Sequence, residues 1–501
     1  MSRVRLRLSG ALAFAANIIG YLTGFIFTIL VTRRLSEGEF GVWALINSLI
    51  VYALTPHMLV GNWIMRDAAR GKKVLESALT LYTFFVPISI LIYTLAGIGA
   101  ASAINYNFIT IILFGLIVLI PYVFMHLGSV IQGGYMPQNI GISRILFELS
   151  KIIIAFFFVI VLGLRLTGAL LSISLAYALQ AGFLLYNSKY LTQRRINVKW
   201  VMKWIKGSPV NVIEVLDDIL SATSIVLISV ILGSAIAAGY WQAAISTSAL
   251  VTSSRFLTTG LAARMISGGS QKDVDMAFSF SMMLAIPLLS GFLVLSGDLL
   301  WILKPTYSSA WFAASMLAIS GIILLARNVC AIVLVGTDEF DQSEEVSLKD
   351  YFKSRIFLVN GLRTALTGLN LTFMGIYLFL ARGRVGIIEA LNMLSLINLL
   401  FACVRMLINL KLMKKMTGLK LNIAGLKPYF VASMIMAIAV FTLKSAVGTL
   451  PAKVLEAAPI LFFFIVVGTL IYVGVLYLIS NDFRVFLKEV QGFIKSYIPY
   501  Y

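Results

Sequence analysis

Three acidic side chains lie close together in an otherwise apolar stretch of this 501-residue chain, namely Glu214, Asp217 and Asp218. Their spacing of i, i+3 and i+4 places them on one face of a helix. In surroundings of low dielectric, three carboxylates cannot all stay charged without partners. They therefore either pair with arginines or bind a proton or a cation. The alternative is that they begin a helix, where acidic side chains complement the helix dipole and pair with Lys206.

Arginine supplies the second candidate chemistry. Arg255, Arg327 and Arg363 each fall inside an apolar segment. A guanidinium group binds phosphate in bidentate fashion and does not lose its charge, so a cavity lined by these side chains would bind phosphate. The alternative is that they extend toward the inner headgroups. Arg33 and Arg34 lie at the predicted outer end of the first apolar segment. There they either line the outer mouth of a cavity or contact headgroups.

The other charged side chains inside apolar segments are Glu148, Lys151, Glu389 and Arg405. Burying each such group in a membrane costs a few kcal/mol, which makes every one of them a candidate for function. By contrast, two cysteines and two histidines are too few and too scattered to form a zinc cluster, a disulfide framework or a metal site. We interpret His57 and His126 as ordinary interfacial or packed residues, and predict neither a metal nor a cofactor.

The elements that position these groups follow from composition. Apolar residues make up 60% of the chain and charged ones only 12%, with a mean hydropathy of +0.96. Soluble domains carry about 25% charged residues, so this composition excludes them. The chain instead predicts an all-α polytopic membrane protein with about fourteen spans of about 20 residues each. The first span, 10–31, extends well past the length of a signal-peptide core and is interpreted as an uncleaved anchor.

The net charge of +19 would suggest nucleic acid in a soluble protein, but here most Lys and Arg residues lie in short connections. With the N-terminus inside, the predicted cytoplasmic segments hold 27 of them and the outer segments hold 8. This bias predicts a multi-pass protein of the cell membrane with both termini cytoplasmic. It also removes nucleic acid as a partner.

The longest charged connections are 189–207 and 336–355. The first carries Trp200 and Trp204 among lysines and predicts an amphipathic helix on the anionic inner leaflet, between two halves of the chain. The second is acidic and predicts a solvated loop. The resulting domains are a six-helix lobe (1–187), the amphipathic linker (188–207), a second six-helix lobe (208–410), and two extra helices with a cytoplasmic tail (411–501).

An internal repeat is indicated by landmarks at equal spacing. A GVW sequence at 41–43 begins the second predicted span, 40–60, and a GYW sequence at 239–241 begins the eighth, 239–261. Arg66 and Arg264 each follow the tryptophan of their segment by 23 residues. Since each copy would contain six helices, the two lobes are predicted to be pseudo-symmetric about an axis along the membrane normal.

Part of this N-terminal region resembles a known family. The segments TRRLSEGEFGVWALINSLIVY (32–52) and GNWIMRDAARGKK (61–73) are similar to the N-terminal pattern of the polysaccharide transporter family. These are the O-antigen-type flippases of the multidrug/oligosaccharidyl-lipid/polysaccharide exporter superfamily. The residues that match the pattern are Arg33, Leu35, Glu39, Phe40, Gly41 and Arg66. The resemblance implies a two-lobe transporter that moves lipid-linked oligosaccharides to the outer leaflet by alternating access.

On this basis the expected partners are a polyprenyl-(di)phosphate-linked glycan, membrane lipids and glycan-assembly enzymes. Arg33, Arg66, Arg255, Arg327 and Arg363 are the candidate substrate-binding residues. Either the membrane potential or an ion bound by the acidic trio would supply the energy. Two alternatives stay open, namely a cation-coupled multidrug exporter and a membrane enzyme of glycan assembly. The sequence contains no HExxH, GxSxG or P-loop motif, so no catalytic residue is predicted.

Overall fold

The computed structural model describes residues 6–193, 195–266, 268–338, 352–448, 450–451, 453–481, 483–485 and 487. Within them it describes the backbone alone at 6–18, 21, 255–257, 259–260 and 262–263. Most of the predicted acidic loop at 336–355 lies outside the described residues. All regular structure in the described part of the chain is helical, which confirms the all-α class.

The described α-helices are α1 (Leu6–Arg34), α2 (Glu37–Ala53), α3 (Thr55–Ala69), α4 (Leu75–Ala103), α5 (Phe108–Tyr135), α6 (Gln138–Ala155), α7 (Arg165–Asn187), α8 (Val198–Gly207), α9 (Val212–Leu232), α10 (Ala235–Ser248), α11 (Thr259–Ile266), α12 (Gln271–Leu303), α13 (Trp311–Gly336), α14 (Arg355–Ala381), α15 (Ile387–Thr417), α16 (Lys427–Val447) and α17 (Val454–Ile479). They form two compact units. Unit 1 comprises Met1–Thr247 and Asp338–Phe401, and unit 2 comprises Ser248–Thr337 and Ala402–Tyr501. The predicted lobe boundaries stay a prediction.

Ten described helical segments are long and apolar enough to cross a membrane, or eleven if α2 and α3 form one span. The protein is therefore a multi-pass membrane protein, whereas the count of fourteen stays a prediction. Two predicted spans are not continuous helices. The span at 40–60 bends by 57° between α2 and α3, where Pro56 begins α3. The span at 239–261 passes through a 3-10 segment, Val251–Thr258, between α10 and α11.

The glycines of the GVW and GYW sequences bring α2 and α10 into direct backbone contact within unit 1. A Cβ atom on Gly41 would lie 1.7 Å from the carbonyl oxygen of Ala235, and one on Gly239 would lie 2.5 Å from the carbonyl oxygen of Glu37. In each case the oxygen belongs to the residue four positions before the opposite glycine. Such reciprocal contacts are typical of elements related by a two-fold axis. They support the predicted repeat.

The linker contains a short amphipathic helix, α8, as its tryptophans predict. Its inner face packs on α3 and α4, because Trp204 is fully buried and its indole N–H donates to Asp67 Oδ2 at 2.9 Å. Asp67 also accepts from Lys72 Nζ at 2.7 Å and lies 3.7 Å from Lys203 Nζ. The outer face of α8 stays exposed, including Met202. The linker helix is thus fastened to the N-terminal helices by a buried tryptophan.

Candidate functional site

The acidic trio lies at the start of α9 in unit 1, where Asp217 is the buried member. Arg363 of α14 approaches it with a distance of 3.0 Å between Nε and Asp217 Oδ2, and the hydroxyl of Thr367 donates to Asp217 Oδ1 at 2.8 Å. Glu214 is exposed in the first turn of α9, where a carboxylate complements the helix dipole. Asp218 is half-buried. Among the described side chains, Arg363 is the arginine placed against these three carboxylates, so the described part of this site carries an excess of negative charge.

Glu214 and Asp218 line a polar cavity of about 130 Å³ between α9 and the N-terminal helices α3 and α5. Asn62 closes one side by donating from Nδ2 to Asn211 Oδ1 at 3.1 Å. His126 lines the cavity from α5. We call the residues Asn62, His126, Asn211, Glu214, Asp217 and Asp218 the acidic pocket. Because two of its carboxylates face a space large enough for several water molecules, the pocket can take up a proton or a small cation.

The two histidines belong to one hydrogen-bond network beside this pocket. His126 Nδ1 lies 3.0 Å from the hydroxyl of Tyr82, and the fully buried His57 lies with Nε2 3.1 Å from the carbonyl oxygen of Tyr82. Ser89 Oγ lies 3.3 Å from His57 Nδ1. His57 is thus a packed residue, as predicted. His126 has the additional position on the cavity wall, which its isolated occurrence in the sequence does not indicate.

A second charged site lies on α6, which packs against α1 and α7. Lys151 Nζ lies 2.7 Å from Glu148 Oε2, and only 9% of each side chain is exposed. Thr23 of α1 donates a hydrogen bond to the same oxygen at 2.8 Å. Immediately after α6 the chain forms a π-helical segment, Phe156–Val161, a feature often found at functional sites. We call Glu148 and Lys151 the Glu148–Lys151 pair.

The predicted arginines occupy different surroundings. Arg327 on α13 of unit 2 is buried, and Arg363 of unit 1 contacts the acidic trio. Arg33 is half-buried in the last turn of α1, whereas Arg66 is exposed on α3 with its guanidinium 5.5 Å from the centre of the Trp63 ring. Arg255 lies in the 3-10 segment after α10, and its side chain is outside the described part of the chain. Arg363 is thus placed against another predicted site residue, Asp217.

Among the described residues, no group of three or more His, Cys, Asp or Glu side chains is arranged to hold a metal ion. The carboxylates of the acidic pocket lie on one face of α9, but they do not converge on a common point as metal ligands do. A proton requires one carboxylate only, so it is the ligand that this arrangement accommodates most simply. Asn62 and Asn211 add polar walls that the sequence did not single out, because isolated asparagines in apolar segments carry no spacing signal.

The sequence signal for the Glu148–Lys151 pair was present but incomplete. An acid and a base three residues apart inside an apolar segment indicate a helical ion pair. Nothing in the spacing shows that Thr23, 125 residues earlier in the chain, completes it. Helix packing between α1 and α6 is what brings the three side chains together.

The long apolar helices and the charged side chains buried among them describe a multi-pass membrane protein. An inward-facing multidrug resistance MATE family transporter of the MOP superfamily is similar to this chain, with a TM-score of 0.57 and 14% identity over 81% of this chain and 99% of that chain. A mutant of the Vibrio cholerae MATE transporter VcmN has a TM-score of 0.50 and 13% identity over 82% of this chain and 99% of that chain.

The lipid II flippase MurJ, in an inward closed conformation, is a further similar structure, with a TM-score of 0.47 and 14% identity over 93% of this chain and 99% of that chain. No family model matches the sequence. No curated protein matches it either. At these identities the likeness establishes the fold alone, which this chain shares with the two solved MATE transporters.

Proposed function

We propose that this protein is a flippase that moves lipid-linked oligosaccharide or polysaccharide precursors from the cytoplasmic to the outer leaflet by alternating access. The observation that carries the proposal is the burial of cations among apolar helices. Lys151 and Arg327 are each only 7% exposed. A side chain that merely reached the headgroups would keep its charged end exposed. Buried cations are costly in a membrane, and an anionic substrate such as a polyprenyl phosphate gives them a use.

In this proposal the substrate-binding residues are Arg33, Arg66, Arg255, Arg327 and Arg363. Arg363 already contacts Asp217, so phosphate binding there requires the guanidinium to exchange one anion for another. Asp217, Glu214 and Asp218 form the ion-coupling site. The protein lies in the cell membrane with both termini cytoplasmic, and it works beside glycan-assembly enzymes that supply its substrate.

A cation-coupled multidrug exporter is the second candidate, and the acidic pocket favours it. Glu214 and Asp218 face a cavity with Arg363 as the cation placed against the trio, so the pocket carries net negative charge. Negative charge in a cavity attracts organic cations and repels phosphate. The two candidates therefore differ in the sign of the charge on the substrate.

Reconstituted proteoliposomes distinguish the candidates. We expect a fluorescent polyprenyl diphosphate-linked sugar to become accessible on the opposite leaflet without covalent change, and Arg327→Gln to slow this movement at least tenfold. Uptake of a cationic dye, with the labelled lipid remaining where it started, would contradict the flippase proposal. A new glycosidic bond would instead indicate an enzyme.

Alternating access can be tested separately where α2 meets α10. Gly38 lies beside Ile236, whose Cγ1 is 3.9 Å from the position of a Cβ on Gly38. We expect a disulfide between Gly38→Cys and Ile236→Cys to stop transport and a reductant to restore it, because α2 and α10 must separate in one half of the cycle. The native Cys330 and Cys403 are replaced by serine in the background protein. Undiminished transport in the cross-linked protein would show that this contact does not open.

A further inference from the structure

The Glu148–Lys151 pair is not explained by the acidic pocket, which lies on other helices. Its two charges are held by few contacts. Lys151 Nζ has Glu148 Oε2 at 2.7 Å, the centre of the Phe27 ring at 5.1 Å and the centre of the Phe147 ring at 4.8 Å. The ammonium group therefore lies near two aromatic rings, which attract a cation through their faces. In the described part of the chain, Glu148 is the one anion placed against Lys151.

A third charge extends this site along α6. Arg144, Glu148 and Lys151 are spaced i, i+4 and i+7, so they lie on the same face of the helix. Arg144 is exposed, and its Nε would lie 3.2 Å from a Cβ on Gly20 of α1. A buried ammonium and an exposed guanidinium therefore flank a single carboxylate. The net charge of this face is positive.

The helices packed against α6 add aromatic groups. Tyr177 of α7 stacks on Phe147 with ring centres 4.7 Å apart and lies close enough to Glu148 to interact with its charge. Tyr122 of α5 lies 4.8 Å from Tyr177, between ring centres. From α1 the facing groups are Thr23 and Phe27. Among the described side chains around Glu148, the groups that can titrate or carry charge are thus Arg144, Lys151, Tyr177 and, one ring further, Tyr122.

We propose that Arg144 and Lys151 bind the phosphate of an anionic ligand, and that Glu148 takes up a proton when phosphate replaces it beside Lys151. The proposal rests on the proposed function, in which the phosphate belongs to a lipid-linked substrate. The ammonium exchanges a carboxylate for a phosphate, and one proton from water converts Glu148 to a neutral carboxylic acid. No other bond forms or breaks.

Proton uptake follows from the burial of the site. Once Lys151 has turned to the phosphate, an ionised Glu148 would remain in a space where only 9% of its side chain is exposed. An unpaired charge at such depth costs several kcal/mol, whereas the neutral acid can keep its hydrogen bond with Thr23. Phosphate binding and protonation of Glu148 are therefore linked.

The test measures binding to the full-length protein in phosphatidylcholine nanodiscs, with a short-chain polyprenyl phosphate, inorganic phosphate and the uncharged polyprenol as probes. We expect both anions to compete for one site and the polyprenol to have no effect. Tighter binding of polyprenyl phosphate assigns the site to a lipid headgroup, and equal affinities assign it to free phosphate. If binding of the anion takes up one proton, its affinity falls about tenfold for each unit by which the pH rises.

Two variants separate the proton from the anion. Glu148→Gln resembles the protonated acid, so it is expected to bind polyprenyl phosphate at least as tightly as wild type. Its affinity should also depend less on pH than the affinity of wild type does, because it has no Glu148 carboxylate to protonate. Ionisation of the probe affects both proteins equally, so it cancels when the two pH dependences are subtracted. The double variant Glu148→Gln with Lys151→Gln removes both charges, leaves no buried unpaired ion, and is expected to lose at least tenfold in affinity.

A matched control is the surface pair Lys453 and Glu456, which has the same i, i+3 spacing and side chains 80% and 57% exposed. Replacing both by glutamine should leave binding unchanged. The proposal fails if the Glu148/Lys151 double variant binds like wild type, or if Glu148→Gln keeps the full wild-type pH slope. Wild-type protein that binds the probe but does not flip lipid would contradict the proposed function instead, so the two failures are distinguishable.

Discussion

Two carboxylate–cation contacts of unit 1, one on α6 and the other between α9 and α14, are built in different ways. The Glu148–Lys151 pair is balanced in charge and nearly closed, with 9% of each side chain exposed. The contact between Asp217 and Arg363 is more open, with the arginine side chain 27% exposed, and two further carboxylates lie beside it. Among the described side chains, the Glu148–Lys151 pair has one acid for one base, with the exposed Arg144 as a further cation on the same face, whereas the second contact has three acids for one base.

This difference separates two ways of keeping charge inside a membrane protein. A closed pair is strongly coupled, because removing either partner leaves the other uncompensated. An open site with surplus acid is held less tightly, since water and protons reach it and lower the cost of any single change. The comparison predicts that the two sites respond differently to the same substitution.

The largest effect is expected when the cation of each site is removed. Lys151→Met should lower the free energy of unfolding by about 3–5 kcal/mol, because the buried Glu148 loses the cation that compensates its charge. Arg363→Met should cost about 1–3 kcal/mol, since Asp217 keeps the hydroxyl of Thr367 and lies beside a cavity. Steric trapping in bicelles measures both values. Equal losses would mean that the two sites do not differ in closure.

Much of this fold could be predicted from the sequence, and the reason is physical. Apolar segments of about 20 residues predict spans regardless of how the helices pack. Ten described helical segments match predicted spans for that reason. The equal spacing around Trp43 and Trp241 likewise indicated a repeat, and the reciprocal contacts of Gly41 and Gly239 support it.

Breaks inside the spans were harder to predict. Continuous helices were expected over 40–60 and 239–261, but Pro56 begins a new helix in the first and a Ser/Thr-rich stretch forms a 3-10 segment in the second. The mean hydropathy of a segment does not show a local bend in the helix, because it is averaged over the whole segment.

The acidic pocket and its arginine were predictable only in part. Helical spacing places Glu214, Asp217 and Asp218 on one face, but it does not show which cation would reach them. Arg363 and Thr367 come from a helix about 150 residues later, so their contact with Asp217 depends on packing alone. Arg255, another predicted arginine, lies in the 3-10 segment, and its side chain is outside the described residues.

A smaller effect is expected from the hydroxyl that supports each carboxylate. Thr23→Val removes the hydrogen bond to Glu148 and should cost about 1.5–3 kcal/mol, the value of a buried bond to a charged group. Thr367→Val should cost about 0.5–1.5 kcal/mol, because Asp217 retains Arg363. Valine keeps the shape of threonine, so packing is conserved in both variants. Steric trapping again gives the two values, and a larger loss for Thr367→Val would reverse the order of the two sites.

The smallest effect should also have the opposite sign. Asp218→Asn removes one of two like charges spaced i, i+4 with Glu214, and such repulsion destabilises a helix by about 0.2–0.5 kcal/mol. We therefore expect Asp218→Asn to stabilise the protein slightly, whereas Glu148→Gln destabilises it because Lys151 loses its anion. Thermal midpoints in detergent show the direction of each change. If Asp218→Asn lowers the midpoint as Glu148→Gln does, Asp218 has a cationic partner and the acidic pocket is as fully paired as the site on α6.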